Sequence, residues 1–331
     1  MKISSITALI LAIFLPALLP GCALTKANHD AMVPETIALY LPQASAPEEQ
    51  LLQRYAPCFK VEGYQHDYNR IGAPALRMER SGEPEIFIDI SRPTIYGLVQ
   101  PFTTARGSYT NLIYRVHFPA IPERHLTFGR NVGLLVYVTL NDHLEPVLIT
   151  TLHTCGCYLA MVPTTNLAPV NWPAGHTPDR QEVFGEYLPG ELSLPARIPS
   201  GRLVITLRGE THRVMDLQFA ADPEASQQAF LDPPINLAPM ALLQKVSSGD
   251  GYVSFFEEVG DRKGYVKGSQ KPWERLLMGW WALDFRVGED KALGSPEETG
   301  VTLYTSLKFW ARRDSNIWDF PNFLKYWGWM L

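Results

Sequence analysis

The chain has 331 residues, 46% of them hydrophobic, with a formal net charge of −5 at neutral pH. That length suits one large domain or two modest ones, and a mildly acidic, evenly spread charge excludes the basic footprint of a nucleic-acid binder. The 27 prolines argue against long helices and for strands joined by shaped loops.

Residues 1–21 have the layout of an export signal. Lys2 supplies a positive start, residues 6–19 are apolar apart from Thr7 and Pro16, and Leu19-Pro20-Gly21-Cys22 follows. The apolar run is too short and too broken by proline for a bilayer span, which takes about 20 residues. Leu19, Gly21 and Cys22 resemble the lipobox of bacterial lipoproteins, with Pro20 a less usual residue before the glycine. The resemblance ends at Cys22 and implies removal of 1–21, lipidation of Cys22 and a membrane partner through that lipid. It places the protein in the cell envelope. Ala23, rather than Asp, follows the cysteine, which under the enterobacterial sorting rule implies the outer membrane.

Residues 22–45 are polar and proline-bearing and read as a tether, with a short apolar segment over 36–41 that could form a first strand. Residues 46–331 read as a single globular domain. Leu51, Leu52 and Tyr55 on one side predict a brief helix over 48–55. The β signal is clearest over 55–158. Ile86, Ile88 and Ile90 alternate, and over 109–118 Thr110, Leu112, Tyr114, Val116 and Phe118 face one side while Tyr109, Asn111, Ile113, Arg115 and His117 face the other. Residues 132–140 are apolar on both faces, as in a central strand. A turn over 141–146 then leads into the apolar run 147–151, giving a hairpin. Residues 159–200 form a long proline-rich excursion of the kind that is functional or covers something. A second hairpin is expected from 201–207 and 211–219, and a helix near 238–246.

From about 270 the chain changes character. All tryptophans but Trp172 fall at or after Trp273. Residues 272–283 predict a helix with proline in its first turn, 303–310 a strand, and 319–331 a last short helix opened by Asp319 and Pro321. The fold class expected is mainly β (α+β), an antiparallel sheet or sandwich with a few helices concentrated in the C-terminal part. The tryptophans suit core packing, a membrane-interface belt or a sugar-stacking surface.

The densest chemistry is His153-Thr154-Cys155-Gly156-Cys157, directly after the apolar run. In an extended strand His153, Cys155 and Cys157 share one face, and the hairpin register places the thiols opposite 129–132, near Arg130 and Asn131. With Cys22 acylated, Cys58, Cys155 and Cys157 remain. Three readings follow. Cys58 forms a structural disulfide with Cys155 or Cys157, as an envelope location favours. Or His153, Cys155, Cys157 and Cys58 hold zinc or copper, although the spacing matches no standard zinc signature. Or one thiol is a nucleophile activated by His153 or Arg130. A bridge between Cys155 and Cys157 would close a very small ring and strain an extended strand.

Tyr109, Asn111, Arg115 and His117, with Arg130 and Asn131, form a possible pocket, since these groups handle ligands better than the Lys and Glu of ordinary solvent faces. His66 and Asp67 could serve acid–base work but are adjacent. There is no phosphate loop, dinucleotide glycine pattern, G-x-S-x-G elbow or H-E-x-x-H. The sequence therefore supports an envelope lipoprotein that binds a protein or small-molecule partner, or serves structurally, with structural cysteines. The alternative is a metal-binding or thiol-dependent enzyme centred on His153, Cys155 and Cys157.

Overall fold

The computed structural model describes residues 36–42, 50–79, 82, 84–194, 201–221, 223, 229–231, 235–249 and 251–331. The signal segment, Cys22 and most of the 22–45 tether lie outside them.

Two sheets face each other. The first is built from β1 (Ile37–Tyr40), β2 (Cys58–Val61), β12 (Arg202–Leu207), β13 (Val214–Ala220) and β14 (Ala229–Leu231), in the order β13-β12-β2-β1-β14. β1 and β2 flank α1 (Gln50–Tyr55), and β1 lies inside the stretch read as tether, with Leu39 and Tyr40 buried. The second sheet has six strands: β5 (Thr94–Thr104), β6 (Gly107–Ile121), β7 (Gly129–Leu140), β8 (Pro146–His153), β9 (Ala160–Pro163) and β15 (Asn236–Pro239), in the order β15-β5-β6-β7-β8-β9. Strands β5 to β9 are antiparallel neighbours, as their hairpin turns require, whereas β1–β14, β2–β12 and β5–β15 pair in parallel. The fold is thus mainly β, with helices few and concentrated in the C-terminal part. Short hairpins complete it: β3 (Ala73–Met78) with β4 (Pro84–Asp89), β10 (Arg180–Val183) with β11 (Glu186–Pro189), and β16 (Val246–Ser247) with β17 (Tyr252–Val253).

Alternation along β6 decides the layers. Leu112, Tyr114, Val116 and Phe118 point into the core shared with the first sheet, where Tyr40, Phe59, Val61, Ile205 and Leu207 meet them. The opposite face of the six-stranded sheet is covered as well. Ile113, Leu135, Tyr137 and Leu152 pack against Leu303, Ile317, Phe320, Phe323 and Leu324 from the C-terminal part. Strands apolar on both faces, such as β7, are what a sheet covered on both sides demands.

The C-terminal layer contains α2 (Pro272–Ala282), α3 (Pro296–Thr299) and α4 (Phe320–Trp327). Pro272 opens α2 at a position where its missing N–H costs nothing. The Asp319 side chain caps α4 by accepting from Asn322 N, and Gly328 ends that helix in the left-handed region. Elsewhere this part is irregular. Residues 303–310 form no strand: Tyr304 makes a single bridge to Asn316, and Phe309–Ala311 is a 3-10 turn. The helix expected near 238–246 is a 3-10 turn over Met240–Gln244.

Candidate functional site

The hairpin β7–β8 has the register expected of it, with Leu134 opposite His153. The strand then stops. Gly156 N donates to His153 O at 2.8 Å and His153 N to Cys157 O at 2.9 Å, so 153–157 is a closed turn instead of an extension of the strand. Gly156 sits at φ +97°, a conformation open to glycine and strained for other residues. Its Cα faces the carbonyl oxygen of Tyr304 so closely that no Cβ would fit.

This turn corrects the strand-face expectation. Alternation lapses at His153, so the histidine and the two thiols no longer share a face. His153 Nε2 instead donates to His212 O at 3.1 Å, which fixes the imidazole in the Nε2–H tautomer. Burial pushes its pKa down to about 4, so it is neutral and occupied. Cys58 is removed from the pair altogether. On β2, Phe59 and Val61 point into the inter-sheet core, so Cys58 points to the other face, where it is buried with Leu39 and Val204. No disulfide joins Cys58 to Cys155 or Cys157. Among the described residues no group of three or more His, Cys, Asp or Glu is placed to hold a metal ion, so the zinc or copper set does not assemble.

What the turn does bring together is the two thiols. Cys157 N donates to Cys155 Sγ at 3.4 Å. The thiols also hydrogen-bond each other, and that bond, followed by burial, pushes Cys157 well above the ordinary thiol pKa. Cys155 is buried and Cys157 mostly so. An extended i, i+2 pair would span about 7 Å, at the limit of what a disulfide bridges; a turn shortens that span.

Four buried charges from the C-terminal layer surround the turn. Lys291 Nζ donates to Cys155 O at 3.1 Å and to Glu289 O at 2.9 Å, while Lys291 N donates to Thr154 O at 2.9 Å. Asp290 accepts from Thr154 Oγ1 and, at 3.2 Å, from Gly133 N, and lies 3.6 Å from Lys271 Nζ. Lys271 Nζ also donates to Thr127 O at 3.0 Å. Burial alone would lower the Lys271 pKa, but Asp290 and Glu274 outweigh it and raise the pKa, so the ammonium stays charged. Glu274, delivered from the first turn of α2, is buried, and its Oε2 has no hydrogen-bond partner among the described residues. Burial raises its pKa, and its charge in turn raises that of Cys157. Sequence inspection missed Lys271, Glu274, Asp290 and Lys291, because single charged residues more than a hundred positions from the cysteines carry no local pattern.

Replacing Glu274 removes a negative charge that opposes the Cys157 thiolate. Glu274→Gln is therefore expected to lower the Cys157 pKa and to speed its alkylation by iodoacetamide several-fold at neutral pH, read by peptide mapping across a pH series. A slower reaction would instead make Glu274 the base that takes the thiol proton.

The other candidate residues form no open pocket. Asn111, Arg115 and His117 are fully buried beneath the C-terminal layer. Asn111 accepts from Thr139 Oγ1 at 2.8 Å. Arg115 donates to His117 Nε2 and to Lys291 O, each at 2.8 Å, and its guanidinium lies over Phe256. His117 packs edge-on to Tyr96 and Phe255. The polar face of β6 is thus a buried bracket between the sheet and the segment carrying Lys291. Tyr109 lies apart, in a shallow groove with Phe102 and Asp142. Arg130 pairs with Glu85 and not with a thiol, and Asn131, at φ +53°, donates to Ile86 O and Lys267 O. His66 stacks on Tyr68, and Asp67 pairs with Arg70, so the two do not converge on one point.

No family model, no curated protein and no solved structure matches this chain. No helix among the described residues is long and apolar enough to cross a membrane.

Proposed function

We propose that this protein is a cell-envelope lipoprotein, held at the outer membrane by lipid on Cys22, whose folded domain carries a thiol–disulfide exchange site at Cys155 and Cys157. The observation that carries the exchange site is the closed turn at Gly156, which sets Cys157 N on Cys155 Sγ at 3.4 Å. A disulfide across this turn needs no long chain movement, yet the ring is small, and strained disulfides are the labile, exchangeable ones. The lipobox-like Leu19, Gly21 and Cys22 support the anchored location.

The step balances against a disulfide of a small molecule or of another envelope protein. Cys157, the less buried of the two, once deprotonated, attacks one sulfur of that disulfide and releases the other as a thiolate, which takes up the proton. Cys155 then attacks the mixed disulfide, closing the Cys155–Cys157 bond and releasing the second thiol. Two cysteine thiols are oxidised and one disulfide is reduced to two thiols. Because Cys157 is held above the ordinary thiol pKa, the first attack is faster at alkaline pH.

Incubation of the protein in glutathione redox buffers, followed by alkylation and peptide mapping, tests the site. A reversible bond between Cys155 and Cys157, with Cys58 unchanged, is the expected result. Thiols at 155 and 157 that stay alkylatable in the most oxidising buffer would favour the second reading, a binding or structural protein. That reading is supported by the hydrogen bonds which tie Lys271, Asp290 and Lys291 into the fold.

A further inference from the structure

Helix α2 is inside out. Its buried positions are Glu274, Gly279 and Ala282, whereas Trp273, Leu276, Leu277, Trp280 and Trp281 point outward and are 46–65% exposed. A helix of a water-soluble domain normally does the reverse, turning its aromatic and aliphatic stripe to the core. Here the acid goes inward, to the thiol turn, and the tryptophans go out. The apolar surface continues past the helix. Leu283 and Phe285 are 61% and 64% exposed, and Phe285 packs beside Gly279. Arg312 donates to the last carbonyls of the helix, at Ala282 and Leu283, and so fixes the neighbouring turn, where Phe309 and Trp310 are 53% and 68% exposed. Contiguous apolar patches of this kind on a folded domain mark a surface that meets an apolar partner.

We infer that this face is a membrane-docking surface that seats in the interfacial region of a phospholipid bilayer. Four observations select that occupant. Tryptophan and phenylalanine beside leucine are the side chains that the bilayer interface favours. The only charged side chain on the outward face of α2 is Arg275, and Lys308 and Arg313 are exposed beside Phe309 and Trp310 with one exposed acid, Asp314, so a chain that is acidic overall carries a net positive charge here. Asp284, a carboxylate within the patch, accepts from the Tyr304 hydroxyl. Finally, the segment from Cys22 to Thr36, about 14 residues at about 3.3–3.6 Å each, reaches at most about 50 Å, so an anchor at Cys22 keeps the domain close to the membrane that holds the lipid. This last point rests on the lipid-anchored reading; the first three do not. The consequence is geometric. The same helix that meets the bilayer carries Glu274 on its inner side, so docking would hold the thiol turn at a fixed depth above the lipid headgroups.

The test uses the acylated full-length protein in vesicles of phosphatidylethanolamine and phosphatidylglycerol, with brominated acyl chains as the quencher of tryptophan emission. Strong quenching is expected, and it falls in Trp280→Phe/Trp281→Phe, which removes two of the four tryptophans on this face, leaves Trp273 and Trp310, and keeps the apolar surface. In Leu276→Ser/Leu277→Ser, whose changes lie on exposed positions, the reporters remain but quenching should fall by about tenfold, as the domain lifts off while still tethered. Far-UV circular dichroism confirms that each variant is folded. Unquenched tryptophans in correctly anchored protein would overturn the inference. If sedimentation then shows a dimer, a second copy covers the face; if it shows a monomer, nothing in the membrane does. Failure of the anchored reading is separate: mass spectrometry would show no lipid on Cys22, and the domain's quenching by added vesicles would still report on the patch.

Discussion

Replacing Gly156 with alanine is expected to destabilise the protein by on the order of 3–5 kcal/mol and to separate the two thiols. Two effects add. The first is conformational: at φ +97° a Cβ costs roughly 1–2 kcal/mol. The second is steric, because the new Cβ would overlap the carbonyl oxygen of Tyr304. That carbonyl cannot yield easily, since Tyr304 is bridged to Asn316 and its hydroxyl is bonded to Asp284. Gly175→Ala is the matched control. Gly175 has φ +85° but open space where a Cβ would go, so only the conformational cost applies, about 1 kcal/mol. Urea midpoints for the two variants measure the difference. Equal losses would mean that the turn is not wedged against Tyr304. The same samples, labelled with iodoacetamide, report whether Cys155 becomes reactive once the turn opens.

Acid is expected to destabilise the fold well before its carboxylates titrate. Burial holds His153 down to about 4 and holds His117 and His212 well below the ordinary histidine value. For His117 the Arg115 guanidinium adds to the effect, and for His212 the neighbouring His153 does. The unfolded chain carries ordinary histidines that take up protons near pH 6.5. Below that pH the unfolded state therefore binds more protons than the folded one, and stability falls as pH falls. His153 alone contributes a loss on the order of 3 kcal/mol between about pH 6.5 and 4, and the other two add to it. Glu274 and Glu289 work in the opposite direction, because their folded pKa values are raised and they take up protons earlier in the folded state. His125, also lowered by burial, joins these histidines, and two carboxyls offset the four only in part. Urea denaturation at pH 7.5 and pH 5 should show a clear fall in midpoint at constant slope. A flat profile would require that the histidines are charged inside the fold.

Much of the β framework was legible because its signals are local. Alternation named the two faces of β6 correctly, apolarity on both faces marked β7 as central, and the turn between 141 and 146 set the register of β7 with β8. Proline at the start of α2 and Asp319 before α4 marked both helices. The error at His153 was also local in origin. Period-two reasoning assumes that a strand continues, and here a glycine in the left-handed region ends it.

By itself, the sequence determined the mainly β fold, the position of the C-terminal helices, and where the histidine and the two thiols of 153–157 stand along the chain. Tertiary structure alone decided which groups stand together. It took Cys58 out of the set, assigned His153 to His212 O, buried Arg115 and His117 where a pocket was expected, and gathered Lys271, Glu274, Asp290 and Lys291 around the turn that carries the thiols. It also decided that α2 turns its tryptophans outward. The physical reason is the same in each case. Strand period, turns and caps are set by neighbours a few positions away, whereas convergence of charges and the choice of buried face depend on which layer packs on which.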